Sequence, residues 1–474
     1  MVRGQTVNDY RPTKSLVPAV LNEVCRGYEH LEELQNIVHG GVEVRLSKTP
    51  PRQVQRPPNH GSARDRLNVL RKNIRKEQDA GRCLVLDRDL LKQWPEIIIS
   101  PFGVVDKGGE DTNVTGRTIH DLSYPEGTSI NDCTDQDSIV KPEYTHCDAV
   151  ATEILKSKRA HPNARVCVMA GDVASAFRNI SIHSNSVYLF AGHIEEDDVI
   201  VIELAAPFGW TGSPGFYEIA GGAVAYVHGS HTTDTFPDGF FNYHWVDDHI
   251  NVAADIGTSC DDANRSLRYA MVAVLGADAI NAKKFTDWNT RQRVLGLVFD
   301  SMALTYQFTD SERELIAAFK DGAPNGFDIN FRELLSCAFA VHAWGRRWGC
   351  GVPRNGRPCH VLFRIDNTSA VAWQNKLASR NPRAQVIIRL LSWWETSFQL
   401  RFSASHVAGT DNERADAGSR IAANPSYAAK FSSLTPGWSQ VSPTVDIHGL
   451  TDIWLRISER TPLPTPHSIN TGER

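Results

Sequence analysis

No Cys-x-x-Cys pair occurs among the nine cysteines of this 474-residue chain, so neither a zinc knuckle nor a disulfide framework is indicated. The thiols are scattered, which fits reduced cysteines in an intracellular setting, cytoplasm or nucleus. The N-terminus lacks a charged-then-apolar leader pattern, and no run of about 18 apolar residues offers a membrane span. A basic excess is lacking too. With 50 Lys and Arg against 55 Asp and Glu, the formal charge is −5, so any nucleic-acid partner must be met by local rather than overall charge. No internal repeat, protease signature or integrase signature stands out.

What the chain does have is enough apolar material for two or three cores, at 41% hydrophobic and 22% charged residues. Positive charge crowds one helix-like stretch through Arg64, Arg66, Arg71, Lys72, Arg75 and Lys76, interrupted by Asp65. That stretch either tracks phosphates or is a solvated helix face. Composition shifts at Ser47-Lys-Thr-Pro-Pro-Arg52 and again after residue 425, where Pro, Ser and Thr accumulate around short apolar pieces such as Ile453-Trp-Leu-Arg-Ile457. Weak order is expected in both tails, 1–55 and 426–474.

Two acidic clusters carry the chemistry. Asp172 ends the apolar run Val168-Met-Ala-Gly-Asp172, and Asp247-Asp248 lie between two apolar arms in Phe241-Asn-Tyr-His-Trp-Val-Asp-Asp-His-Ile-Asn-Val252. Each run is strand-like, so strand pairing can bring the three carboxylates together across the sequence gap. Such a cluster repels itself unless a cation is present. Mg²⁺ takes carboxylate oxygens plus substrate phosphates, and two ions roughly 3.5–4 Å apart serve phosphoryl transfer. The other Asp-Asp pairs differ in context: Asp197-Asp198 follows Glu195-Glu196 like a hairpin tip, and Asp261-Asp262 opens a helix-like run where acids suit the dipole. On the pattern alone, a metal-binding hairpin and a plain polar turn both remain open for residues 247–248.

Five segments in order resemble reverse-transcriptase motifs: Asp172 with Ala176-Phe177, Ala206-Pro-Phe-Gly-Trp-Thr-Gly-Ser-Pro214, Trp245-Val-Asp-Asp248, Asn281-Ala-Lys-Lys284, and Leu295-Gly296. Upstream, Ile99-Ser-Pro-Phe-Gly-Val-Val-Asp-Lys107 and Gly116-Arg-Thr-Ile-His-Asp-Leu-Ser123 are similar to the fingers of retrotransposon polymerases of long-terminal-repeat and DIRS type. The resemblance implies that Asp172, Asp247 and Asp248 form the metal site, with the Val173 carbonyl as a further ligand. It implies that Lys107 and Arg117 meet the nucleotide triphosphate and that Phe177 lies beneath the sugar, against a 2′-hydroxyl. Phe208 and Gly209 would bring backbone close to template and nucleotide. Lys284 matches a lysine proposed to protonate the pyrophosphate leaving group, with Lys283 beside it as an alternative register. Many relatives carry Tyr two residues before the Asp pair, where this chain has Trp245, another amphipathic aromatic.

A second, incomplete resemblance follows. Asn330-Phe-Arg-Glu333, Val361-Leu-Phe-Arg-Ile-Asp366 and His406-Val-Ala-Gly-Thr-Asp-Asn-Glu-Arg-Ala-Asp416 look like a retroelement ribonuclease H domain. Glu333, Asp366 and Asp416 match its carboxylates, and His406 matches a histidine at the mouth of its site. The strand that opens this domain in relatives, ending in a metal-bridging aspartate, has no counterpart. Residues 301–329 are too short for thumb, connection and that strand together.

The expected architecture is therefore α+β. It comprises an N-terminal extension (1–55), right-hand polymerase fingers and palm with an antiparallel palm sheet (56–300), a truncated thumb and connection (301–329), a partial α/β ribonuclease H-like domain (330–425) and a tail (426–474). The expected function is that of a retrotransposon RNA-directed DNA polymerase using two Mg²⁺ ions, with Mn²⁺ as a substitute, and with RNA or DNA template, primer and deoxynucleoside triphosphates as partners. Ribonuclease H activity is expected to be lost and processivity to be poor. The alternative is a catalytically inert nucleic-acid-binding relic.

Overall fold

A computed structural model describes residues 4–107, 111–142, 145, 147–308, 328–349, 358–379, 381–421, 424–439, 441, 444–459 and 461–463. Most of the truncated thumb and connection expected over 301–329, namely 309–327, falls outside these residues. The fold is mixed α+β and divides into two compact units, one of Met1–Val150 and His161–Asn289, the other of Ala151–Ala160 and Thr290–Arg474.

The first unit begins with helices α1 (Pro18–Val24) and α2 (Leu31–Gly40). The weak order expected for 1–55 is not what these segments show. Leu34, Ile37 and Val38 fall on one helical face, and with Leu21 they are buried in the same apolar core as Tyr217, Val224 and Leu267. Helices α3 (Gly61–Asp65) and α4 (Leu67–Asp79) follow, then strands β1 (Cys83–Asp87), β2 (Phe102–Val105) and β3 (Arg117–His120). After helix α5 (Ile130–Cys133) and helix α6 (Asp148–Ala160), which from Ala151 onward belongs to the second unit, come β4 (Val166–Asp172), β5 (Ala191–Ile194), β6 (Val199–Glu203), helix α7 (Ser213–Gly229), β7 (Tyr243–Trp245), β8 (Asp248–Ala254) and helix α8 (Ser259–Leu275). Three antiparallel sheets result, ordered β1-β6-β5, β2-β3 and β4-β8-β7. Val168 and Val252 of the last sheet are buried, and helices α7 and α8 pack together in the apolar core, so β4 and β8 end at a fixed edge.

The basic stretch at 64–76 is two helices rather than one, and three of its six cations are already engaged in ion pairs. Arg66 pairs with Asp106 at 2.6 Å, Arg71 with Asp197 at 2.5 Å and Arg75 with Asp79 at 2.8 Å.

The second unit opens with β9 (Arg291–Val294), β10 (Leu297–Asp300) and β11 (Thr305–Phe308). It continues through helix α9 (Ile329–Gly349), β12 (Cys359–Ile365), α10 (Thr368–Lys376), α11 (Pro382–Phe398), β13 (Leu400–His406), α12 (Glu413–Arg420), α13 (Tyr427–Leu434), α14 (Ile447–Glu459) and β14 (Thr461–Pro462). Strands β12 and β13 are parallel, whereas β14-β11-β10-β9 form an antiparallel sheet. Among the described residues beyond 425, helices α13 and α14 form. Leu450, Trp454 and Ile457 of α14 are buried in the core formed by α9 and α11, so the short apolar piece at 453–457 is a packing face.

Candidate active site

The three carboxylates of the first unit meet at the end of one sheet. Asp172 is the last residue of β4 and stands opposite Asp248, the first of β8. Trp245 pairs with Asp248, leaving Val246 and Asp247 as a two-residue hairpin turn. The Asp247 carbonyl accepts a 2.8 Å hydrogen bond from the Val173 N–H, which fastens this turn to the chain leaving β4. Val246 has φ = 51°, a left-handed conformation that hairpins normally give to Gly. In a β-branched residue this costs about 1–3 kcal/mol and persists only where its surroundings enforce it.

Asp172 is 2% exposed. Its Oδ1 accepts from the Asn281 side-chain amide and its Oδ2 from Lys284 Nζ, both at 2.6 Å. The Asn281 backbone N–H also donates to the Asp172 carbonyl, at 3.1 Å. Lys284 Nζ lies 4.0 Å from Asp247 Oδ2, so it is Lys284 that reaches the cluster, with its side chain still 61% exposed. Burial, then repulsion from Asp172, raises the Asp247 carboxyl pKa; Lys284 and Arg117 oppose the shift. Burial and the neighbouring carboxylates push Asp248 up to about 6. A single ammonium thus leaves the three-carboxylate centre short of positive charge.

Hard oxygen donors with uncompensated negative charge suit Mg²⁺ or Mn²⁺. Among the described residues, however, no group of three or more His, Cys, Asp or Glu side chains already stands in a metal-ligating arrangement. The carboxylates are assembled around Lys284 instead. The donor set fits a divalent cation, and binding requires the lysine to move aside.

Of the predicted nucleotide-side residues, Arg117 is near enough for its charge to oppose the rise in the Asp247 carboxyl pKa; the others lie on separate elements. Arg117 begins β3, opposite Val105, and exposed Lys107 follows β2 by two residues. The half-buried Phe177 ring packs 5.1 Å from Phe208 and 5.8 Å, edge-on, from Tyr217. Its packing against neighbours is thus established, and Phe208 remains 48% exposed. Gly209 has φ = +117°, and a Cβ there would fall 2.0 Å from the His120 carbonyl oxygen. That close approach ties the 207–212 loop to β3, helped by the Asn131 amide donating to the Gly209 carbonyl at 2.8 Å.

Sequence reasoning did not single out Asn281, Arg178, His244 or Glu218. Asn281 stands three residues before Lys284 in the Asn-x-x-Lys segment, so one tight turn delivers both to Asp172. Arg178 directly follows Phe177 and is buried, donating to Glu203 at 2.5 Å, Glu77 at 3.0 Å and the Ala205 carbonyl at 3.1 Å. Burial works against its charge, but the two carboxylates outweigh that and raise its pKa.

In the second unit, Glu333 lies in the first turns of α9 and Asp366 directly after β12. Burial, and then the Asp366 carboxylate, raise the Glu333 pKa, so these two groups face each other. Asp366 Oδ2 accepts from the Asn412 amide at 2.9 Å. Asp416 pairs with Arg420 at 2.8 Å, and His406 ends β13 in an exposed position.

No family model and no curated protein matches the chain. Among solved structures, it is similar to a foamy viral protease-reverse transcriptase dRH in complex with double-stranded DNA, at 12% identity and a TM-score of 0.43, over 72% of this chain and 53% of that one. A foamy viral protease-reverse transcriptase in complex with an RNA/DNA hybrid is similar at 12% identity and a TM-score of 0.43, over 69% of this chain and 40% of that one. The likeness therefore spans about half, or less, of those chains' own lengths.

Proposed function

We propose that the first unit is the polymerase centre of a retrotransposon RNA-directed DNA polymerase, with Asp172, Asp247 and Asp248 as the residues that hold two Mg²⁺ ions. The observation carrying this reading is the register of β4 with β8, which puts Asp172 opposite Asp248 with Asp247 adjacent at the turn. When bound, the ions stabilise charge on the attacking and leaving oxygens of phosphoryl transfer. The chain's own groups hold and orient. Asn281 fixes the Asp172 carboxylate through Oδ1 and leaves Oδ2 to Lys284. In this reading Lys284, freed from Asp172, gives its proton to the departing pyrophosphate. Arg117 and Lys107 offset the triphosphate's charge. The Phe177 ring, backed by Tyr217, faces the sugar and disfavours a 2′-hydroxyl.

Template, primer and deoxynucleoside triphosphates are the partners in this reading, and ribonuclease H activity is lost from the second unit. A second reading, an inert nucleic-acid-binding relic, is favoured by the 2.6 Å ion pair that Lys284 makes with Asp172. Primer extension on poly(rA)/oligo(dT) with Mg²⁺ or Mn²⁺ separates the two. Extension that disappears in Asp247→Asn/Asp248→Asn supports the polymerase, whereas hybrid binding by anisotropy without extension supports the relic.

A further inference from the structure

The left-handed turn at Val246 needs something to hold it, and a part-buried pair, Glu218 and His244, lies beside it. His244, in the middle of β7, has a side chain only 9% exposed. Its Nε2 lies 2.7 Å from the Val246 carbonyl oxygen. A carbonyl only accepts, so Nε2 carries the hydrogen and donates. On the other side of the ring, Nδ1 lies 3.3 Å from Oε1 of Glu218 on α7, whose side chain is 19% exposed. The imidazole also stacks on His249, with centroids 4.6 Å apart and planes 13° from parallel. With a hydrogen on Nδ1 as well, the ring also donates to Glu218, and its position is then fixed from three directions.

Helix α7 makes room for this ring. A Cβ at Gly221 would stand 2.9 Å from His244 Nε2 and 3.0 Å from its Cε1. Glycine in a helix interior is unfavourable relative to alanine. Here the missing side chain is what lets the imidazole pass between helix and hairpin.

We propose that Glu218 and His244 form a positioning pair that holds the Val246 turn, and through it sets the spacing of Asp247 and Asp248 for a divalent cation. Neither residue touches the reacting atoms. The proposal rests on the reading of the three carboxylates as a metal site. Without the His244 donor the turn keeps the Val173 N–H bond to the Asp247 carbonyl and the β7–β8 pairing, but nothing described holds the Val246 carbonyl, so Val246 leaves the left-handed region and the carboxylates lose their spacing.

The test is Mn²⁺ binding to the full chain, read from the electron paramagnetic resonance of free Mn²⁺, for wild type, His244→Leu, His244→Gln, Gly221→Ala and Asp247→Asn. Circular dichroism confirms that each variant is folded. His244→Leu is expected to weaken binding about tenfold or more, the scale of one lost hydrogen bond at a strained turn. Gly221→Ala is expected to behave like it, by displacing the ring. His244→Gln keeps an N–H able to reach the Val246 carbonyl and is expected to retain most of the affinity. In single-nucleotide incorporation, His244→Leu lowers kcat and leaves the KM for dTTP unchanged. Wild-type Mn²⁺ affinity in His244→Leu, alongside lost binding in Asp247→Asn, overturns the positioning role. Unchanged binding in Asp247→Asn itself overturns the underlying metal-site reading instead.

Discussion

Replacing Arg178 with Met removes the guanidinium that joins the loop after β4 to β6. Its side chain is 5% exposed, and that of its partner Glu203 is 9% exposed. Burial raises the Glu203 carboxyl pKa, and Arg178 is the main group opposing the shift. Taking away one member of such a pair leaves a buried, uncompensated charge, at a cost of about 3–5 kcal/mol. Glu77 keeps a partner, since Arg82 Nε lies 3.0 Å from its Oε2. The penalty therefore falls on Glu203. In the variant its folded pKa stands above its unfolded value of about 4.3, so the fold is least penalised below that pH and loses stability as pH rises through the folded pKa. Hydrogen–deuterium exchange of peptides covering 199–205 reads this directly. A loss of about 3 kcal/mol lowers protection roughly a hundredfold at pH 7.5, and the deficit narrows toward pH 4.5. Adding Glu203→Leu to Arg178→Met is expected to recover most of the protection. Unchanged protection in the single variant, or no recovery in the double, refutes the reasoning.

Three further outcomes follow from the same geometry. Asp248→Asn, in chelator-treated buffer, is expected to raise the melting temperature at pH 7.5. Its folded pKa near 6 exceeds the ordinary carboxylate value, so the wild-type penalty appears as pH rises from about 4 through 6, and the gain vanishes by pH 4; a gain independent of pH contradicts this. Gly209→Ala forces a Cβ against the His120 carbonyl at positive φ, with a strain cost of about 1–3 kcal/mol. It is expected to raise the KM for dTTP in primer extension, and a wild-type KM argues against a nucleotide-side role for this loop. An RNA–DNA hybrid incubated with Mg²⁺ is expected to stay intact, and cleavage abolished by Asp366→Asn would show that the second unit is active.

The carboxylate hairpin was legible because apolar arms flank Asp247-Asp248 and end at Asp172, and strand pairing does the rest. The control pairs also behave as their contexts implied: Asp261 and Asp262 sit in the first turn of α8, and Asp198 is a left-handed residue between β5 and β6. What the sequence hid depends on distant partners. Arg178 reads as a surface charge until β6 brings Glu203 beneath it. Gly221 reads as a weak point in a helix until His244 is seen against it. In the described parts of the terminal segments, polar composition masked a few well-spaced apolar residues that are buried, Leu34, Ile37 and Val38 at one end and Trp454 and Ile457 at the other. Lys284 was picked out from the order of the motifs, but its direct pairing with Asp172 was not legible, since two adjacent lysines offered two registers.

The central claim is that Asp172 anchors a nucleotidyl-transfer centre, and single-turnover incorporation of dTMP on poly(rA)/oligo(dT) by Asp172→Asn tests it most directly. The account predicts unchanged hybrid binding and a rate reduced by about 4 kcal/mol or more in barrier, roughly a thousandfold. Incorporation by the variant at the wild-type rate would contradict it.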